Sequence, residues 1–100
     1  MNSQVTLIGN MGKNLRVFNT QNGGKVARFN MVTTSTEEDG VKFKWHDLFC
    51  FGNLAQFIED FGEKGKRICV TGKQVDRTFI NHNGETKKVA EIEVRSVIGL

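Results

Sequence analysis

The stretch that decides the fold is Phe43-Lys44-Trp45-His46-Asp47-Leu48-Phe49-Cys50-Phe51. Side chains alternate between the two faces of a strand. Odd positions therefore gather Phe43, Trp45, Asp47, Phe49 and Phe51, and even positions gather Lys44, His46, Leu48 and Cys50. The compact Leu48 and Cys50 suit a crowded interior, which leaves a row of aromatics outside. An inverted reading, with the aromatics as core, is the competing possibility. Outside, such a row either stacks on the faces of nucleic-acid bases or is covered by another subunit.

Outward from this strand the same period recurs. Val5 to Ile8 is β-prone, stops at Gly9–Gly12 and resumes at Arg16 to Phe18. Asn22-Gly23-Gly24 is a turn, because Asn and Gly accept positive φ cheaply. Lys25 to Thr34 alternates, with Ala27, Phe29 and Met31 on one face, and the polar Thr36–Gly40 loop leads into Val41–Phe51. Arg67 to Phe79 sets Ile68 and Val70 against Arg67 and Cys69. After the turn at Asn81-His82-Asn83-Gly84, Thr86 to Ile98 reads with Ala90, Ile92 and Val94 inward and Glu91, Glu93 and Arg95 outward. One segment changes period: Leu54, Phe57, Ile58 and Phe61 mark a helix face. Asn53 is expected to cap it, with Gln56 three residues on as in a capping box, and Gly62 and Gly65 to end it. The reading is all-β with one short helix. Five strands with a helix between the third and fourth form the Greek-key barrel of the OB-fold.

Size and composition agree. One hundred residues with 38% apolar and 25% charged side chains make one domain over residues 1–100. About 60–65% of the surface of such a chain is buried on folding, so a partner subunit is a natural supplement. No run approaches the ~20 apolar residues of a membrane span. The opening lacks the charged and apolar regions of a signal peptide. Two cysteines make no disulfide framework, so the expectation is a cytoplasmic protein with reduced thiols.

Charge is segregated within a net +3. Residues 1–36 hold four bases and no acid, 37–63 carry a local −5, and 64–88 a local +5. Such blocks can build a basic face for a polyanion. Catalysis finds little support: Ser3, Ser35 and Ser96 lie in no nucleophile-elbow context, and no Walker loop exists. His46 and Cys50 share a strand face but stand about 13 Å apart, too far to chelate one ion. No enzyme, metal or cofactor is expected.

Several segments carry a family likeness. They are Met1-Asn2-Ser3-Gln4-Val5-Thr6-Leu7-Ile8-Gly9-Asn10-Met11-Gly12, Asn22 to Asn30 with Thr33-Thr34-Ser35, and Trp45-His46 with Phe51-Gly52 and Leu54-Ala55. Lys64-Gly65-Lys66 to Gly72 and the Asn83-Gly84 hairpin complete it. In these the chain resembles bacterial single-stranded DNA-binding proteins over nearly all its length. The resemblance implies an OB-fold that binds single-stranded DNA with little sequence preference, as a homotetramer or a dimer, in replication, recombination and repair. Trp45, Phe51 and Phe79 match the aromatics that stack on bases, and Phe79 stands where a tryptophan is usual. Lys13, Arg28, Lys44, Lys73, Arg77 and Lys87 are the expected phosphate contacts. The first strand, with Val5 and Leu7, and His46 match subunit contacts. Asp47 replaces a common basic residue, Phe18 and Val75 stand where arginine is frequent, and Glu38 falls near a missing loop tryptophan. These departures imply weaker or more salt-sensitive binding than is typical of the family, or a displaced DNA path. The family's acidic tail would lie beyond Leu100: a natively tail-less relative is expected not to recruit protein partners by that route, and a shortened form of a longer chain leaves that route open. A second class of reading is a primosome-type OB accessory protein that binds single strands and chiefly contacts a helicase.

Overall fold

A computed structural model describes residues 4–100; the first three residues of the opening motif lie outside the described residues. In chain order the elements are β1 (Gln4–Met11), β2 (Arg16–Asn19), β3 (Lys25–Glu37), β4 (Gly40–Phe51), α1 (Asn53–Phe61), β5 (Arg67–Ile80) and β6 (Thr86–Gly99). The sheet order is β1-β5-β6-β4-β3-β2, and β1 also pairs with β3. That pairing, Asn10 with Val32 and Met11 with Met31, closes a barrel of β1, β3, β4, β5 and β6. β2 continues the course of β1 after Leu15 and adds to the outer edge of β3. The interrupted first strand expected from the sequence is thus two separate strands.

The alternation in β4 resolves as expected. Leu48 and Cys50 are buried, whereas Phe43, Trp45 and Phe51 are 70%, 59% and 53% exposed. Ala27, Phe29 and Met31 oppose Cys50, Leu48 and His46 across the β3–β4 ladder and complete that side of the core. Ile68, Val70, Ile92 and Val94 fill the other side. Truncating a core side chain such as Leu48 or Ile58 to Ala costs about 2–5 kcal/mol.

Helix α1 closes one end of the barrel. Ala55 and Ile58 are buried and Leu54 and Phe61 pack against the core. Phe57 leans outward and stacks on Phe61, centroids 5.1 Å apart. Lys25 Nζ fastens the helix to β3 by donating to Gln56 Oε1 at 2.6 Å and to Glu59 Oε1. The expected capping box does not form. Gly52, at φ 64°, is the N-cap, so Asn53 is already the first helical residue and no side chain caps the end. Gln56 turns instead to Glu59 and Asp60. Gly62 ends the helix, its N–H donating to Ile58 O at 2.7 Å.

β6 brings the second correction. Ala90 is exposed and Glu91 is buried, the reverse of the expected pattern. Ala90 shares the face of Ile92, but here β6 has left the barrel to run with β5 as a free hairpin. Glu91 points outward by parity and is covered by Arg28 and Arg77. Among the described residues the hairpins β3–β4 and β5–β6 share a strand pairing only over a short parallel stretch, Leu48 with Ile92 and Phe49 with Glu93, beside which Arg28 and Glu91 tie them again.

Candidate nucleic-acid interface

The outer wall formed by β2, β3 and β4 carries the expected aromatic row. Trp45 lies opposite Val32 on β3. It lines a hollow with Met11, Gly12, Lys13, Asn14, Asn30, Lys64 and Gly65. Gly12 makes this hollow possible. A Cβ there would stand 2.8 Å from Trp45 Cζ3 and would collide with Asn30 Oδ1. Any larger residue would push the indole or the amide aside. The floor is tied by backbone bonds from Met11 N–H to Lys66 O and from Gly65 N–H to Met11 O, both 2.8 Å. Lys64 is thereby held beside Lys13 although the two are far apart in sequence.

Asn14 and Asn30 also border a second hollow, of about 360 Å³, lined by Arg16, Arg28, Asp47, Arg77 and Glu91. The two hollows form one groove along the wall. Arg16 and Arg28 oppose each other across β2 and β3. Arg28 sits 5.2 Å over the Phe49 ring, and Phe49 meets Phe51 edge to face at 5.6 Å. Asn30 Oδ1, at the seam, is buried with no hydrogen-bond partner among the described residues. Phe79 is 41% exposed near the end of the β5–β6 hairpin and lies opposite Lys87. Phe79 and Arg77 share a face of β5 with each other and, across the ladder, with Glu91's face of β6. That face continues the groove wall. Aromatic planes flanked by cations match a polyanion with stackable bases.

The other expected site residues lie elsewhere. Lys44 has the parity of His46, on the opposite face of β4 from Trp45. Lys73 lines a separate hollow with Gln4, Thr71 and Arg95. Val5 and Leu7 are half-buried and lean on the core. The outward positions of β1 are Thr6 and Ile8, and Ile8 is 50% exposed. By register Ile8 meets Cys69, which meets Ile98, itself 59% exposed. His46 is half-buried and its Nε2 lies 2.9 Å from Thr33 Oγ1. Burial, then the nearby Lys44 charge, hold its imidazole below the ordinary range, against a smaller opposing pull from Asp47. Burial raises the Cys50 thiol to about 11, so it stays protonated.

Sequence reading passed over Lys64, Arg16 and Glu91. Lys64 had a signal, a basic residue beside Gly65 in the loop before β5. Glu91 had none, because its partners come from β3 and β5. Among the described residues no group of three or more His, Cys, Asp or Glu side chains could hold a metal ion.

Comparison with known proteins agrees with this geometry. The model of the single-strand binding protein family matches residues 2–100. The solved structure of Plasmodium falciparum SSB in complex with ssDNA superposes with a TM-score of 0.93 at 26% identity, covering 100% of this chain and 96% of that one. By its fold, its groove and this match over nearly its whole length, the chain belongs to the single-strand binding protein family.

Proposed function

We propose that the protein binds single-stranded DNA, with little sequence preference, along the groove of β2, β3, β4 and the β5–β6 hairpin. The observation that carries this is the exposed row of Trp45, Phe51 and Phe79 bordered by Lys13, Lys64, Arg16, Arg28, Arg77 and Lys87. Bases stack on the rings at about 1–3 kcal/mol each, in any sequence, because every base has a π-face. The cations take the phosphates, which makes binding fall with salt. A duplex hides the base faces, so single strands are preferred. The protein acts by binding, not catalysis, in the cytoplasm, protecting strands exposed in replication, recombination and repair.

Self-association is part of the same reading, with a homotetramer as the expected state. The exposed Ile8–Cys69–Ile98 face supports a subunit contact on the β1–β5–β6 wall. The edge of β1 that carries Val5 and Leu7, with His46 nearby, supplies a second.

Titrating the protein with oligo-dT at two salt concentrations, following fluorescence from Trp45, tests the proposal. Saturating quenching that weakens with salt and is absent with duplex is the expected result. No quenching from a folded, oligomeric protein would make the aromatic row a protein-contact surface and put the helicase-accessory reading first.

A further inference from the structure

Glu91 is the charged side chain most sealed from solvent among the described residues, at 6% exposure. Its carboxylate lies beneath two guanidinium groups. Arg28 Nη1 is 3.3 Å from Oε2 and 3.5 Å from Oε1, and Arg77 Nη2 is 3.2 Å from Oε2. A carboxylate this deep is costly unless paired, and here two strands bring it partners. Each arginine reaches it through one terminal nitrogen. A guanidinium has five N–H donors in a fixed plane, so most donors of both remain available. The arginine side chains are still 33% and 53% exposed and line the groove that continues from Trp45. Arg28 is steadied further by the Phe49 ring beneath it.

From this arrangement we propose that Glu91 is a positioning residue for single-stranded DNA. It braces Arg28 and Arg77 from below as a two-arginine clamp for a backbone phosphate. The proposal rests on the binding reading above. Without the brace, Arg28, Arg77 and the facing Arg16 are like charges crowded on one lip of the groove. Mutual repulsion would splay them, and each would have to be ordered again as DNA binds. Holding them in place beforehand lowers that ordering cost. The opposite role, in which Glu91 competes with phosphate for the same arginines, fits the geometry less well. A competitor should be open to the groove, whereas this carboxylate, although it lines the same hollow, is 6% exposed beside arginines that are 33% and 53% exposed.

The test is a salt series of oligo-dT titrations on the full chain, read by Trp45 fluorescence. Glu91→Gln keeps the shape and removes the charge. It should weaken binding about five- to tenfold, the scale of one net hydrogen bond, although the protein becomes more positive. The slope of log K against log salt should become shallower by about 0.7, one phosphate contact on a single strand. With Arg28→Ala and Arg77→Ala already present, Glu91→Gln should change nothing further. Arg77→Lys leaves Glu91 a cationic partner and keeps the net charge, so it tests the clamp without emptying the buried site. It should still weaken binding, by about threefold, because an ammonium lacks the planar fork that serves carboxylate and phosphate together. Tighter binding with a steeper slope in Glu91→Gln would make Glu91 a competitor and overturn the proposal. Unchanged affinity in both Glu91→Gln and Arg77→Lys, with quenching intact, would overturn it as well. Absence of quenching in the unaltered protein would instead overturn the binding reading itself.

Discussion

Two walls of the barrel leave apolar side chains in water, and their neighbours differ. On the β3–β4 wall, Trp45 and Phe51 are 59% and 53% exposed, among Lys13, Lys64, Arg16 and Arg28. On the β1–β5–β6 wall, Ile8 and Ile98 are 50% and 59% exposed around Cys69. Their neighbours there are the hydroxyls of Thr6 and Thr71, whose oxygens lie 3.4 Å apart, and Arg67, whose guanidinium donates to Asn10 Oδ1. Planar rings among cations suit bases and phosphates. Branched aliphatics among hydroxyls suit the close packing of a protein surface. Exposure is nearly equal on the two walls, so exposure alone does not tell them apart; the shape of the apolar groups and their immediate neighbours do.

The sharpest way to break that contrast is Trp45→Ala. It should weaken oligo-dT binding by about 1–3 kcal/mol, the value of one stacked base, and leave the assembly mass unchanged. Light scattering and filter binding together would check both halves. Ile8→Lys should do the opposite. Burying an isoleucine is worth about 1.5–3 kcal/mol, so a cation there should lower the assembly mass while each chain retains the groove. If Ile8→Lys abolished DNA binding and left the mass unchanged, the two walls would have exchanged roles.

Smaller changes refine the groove. Asp47 faces the hollow of Arg16, Arg28 and Arg77, and no ion pair to it forms among the described residues. Asp47→Arg removes an anion and adds a cation, so binding should tighten several-fold and the salt slope steepen by about 0.7 if one phosphate is gained. An unchanged slope would remove Asp47 from the path of the backbone. Phe79→Trp enlarges a ring already 41% exposed and should tighten binding more modestly, by less than one full stack.

The smallest expected effect concerns pH. His46 is held below its ordinary value, so folding favours the neutral imidazole. Its contribution is complete above the unfolded value of about 6.5 and is lost as pH falls through the lower folded value. Thermal melts at pH 7.5 and 5.5 should therefore show acid destabilisation that His46→Gln reduces.

The parts legible in sequence were those fixed by short-range period. β4 could be read because Leu48 and Cys50 alternate with bulky aromatics, and a small barrel has room inside only for the former. The α1 face could be read because Leu54, Ile58 and Phe61 repeat at helical spacing, although Phe57 stands half out of it. What stayed hidden depends on partners distant along the chain. Glu91 looks like an outward strand acid until Arg28 and Arg77 cover it. Gly12 looks like a turn glycine, whereas what it does is make room for Trp45 and Asn30. Ala90 was misplaced because alternation continues past the point where the barrel stops. Asn53 has the chemistry of a cap, yet the backbone turns one residue earlier, at Gly52.

The parallel pairing of β4 with β6 spans only Leu48–Ile92 and Phe49–Glu93. Beyond it the β3–β4 and β5–β6 hairpins extend as two arms, each fastened along its own ladder. Trp45 sits against the closed barrel, opposite Val32 where β3 meets β1, whereas Phe79 stands on the outer part of the β5–β6 hairpin. The two proposed stacking surfaces therefore rest on supports of unequal stiffness, one a closed barrel and the other a two-stranded ribbon. Amides at the arm ends should accordingly exchange with solvent sooner than those of the buried strands around Ile68 and Val70.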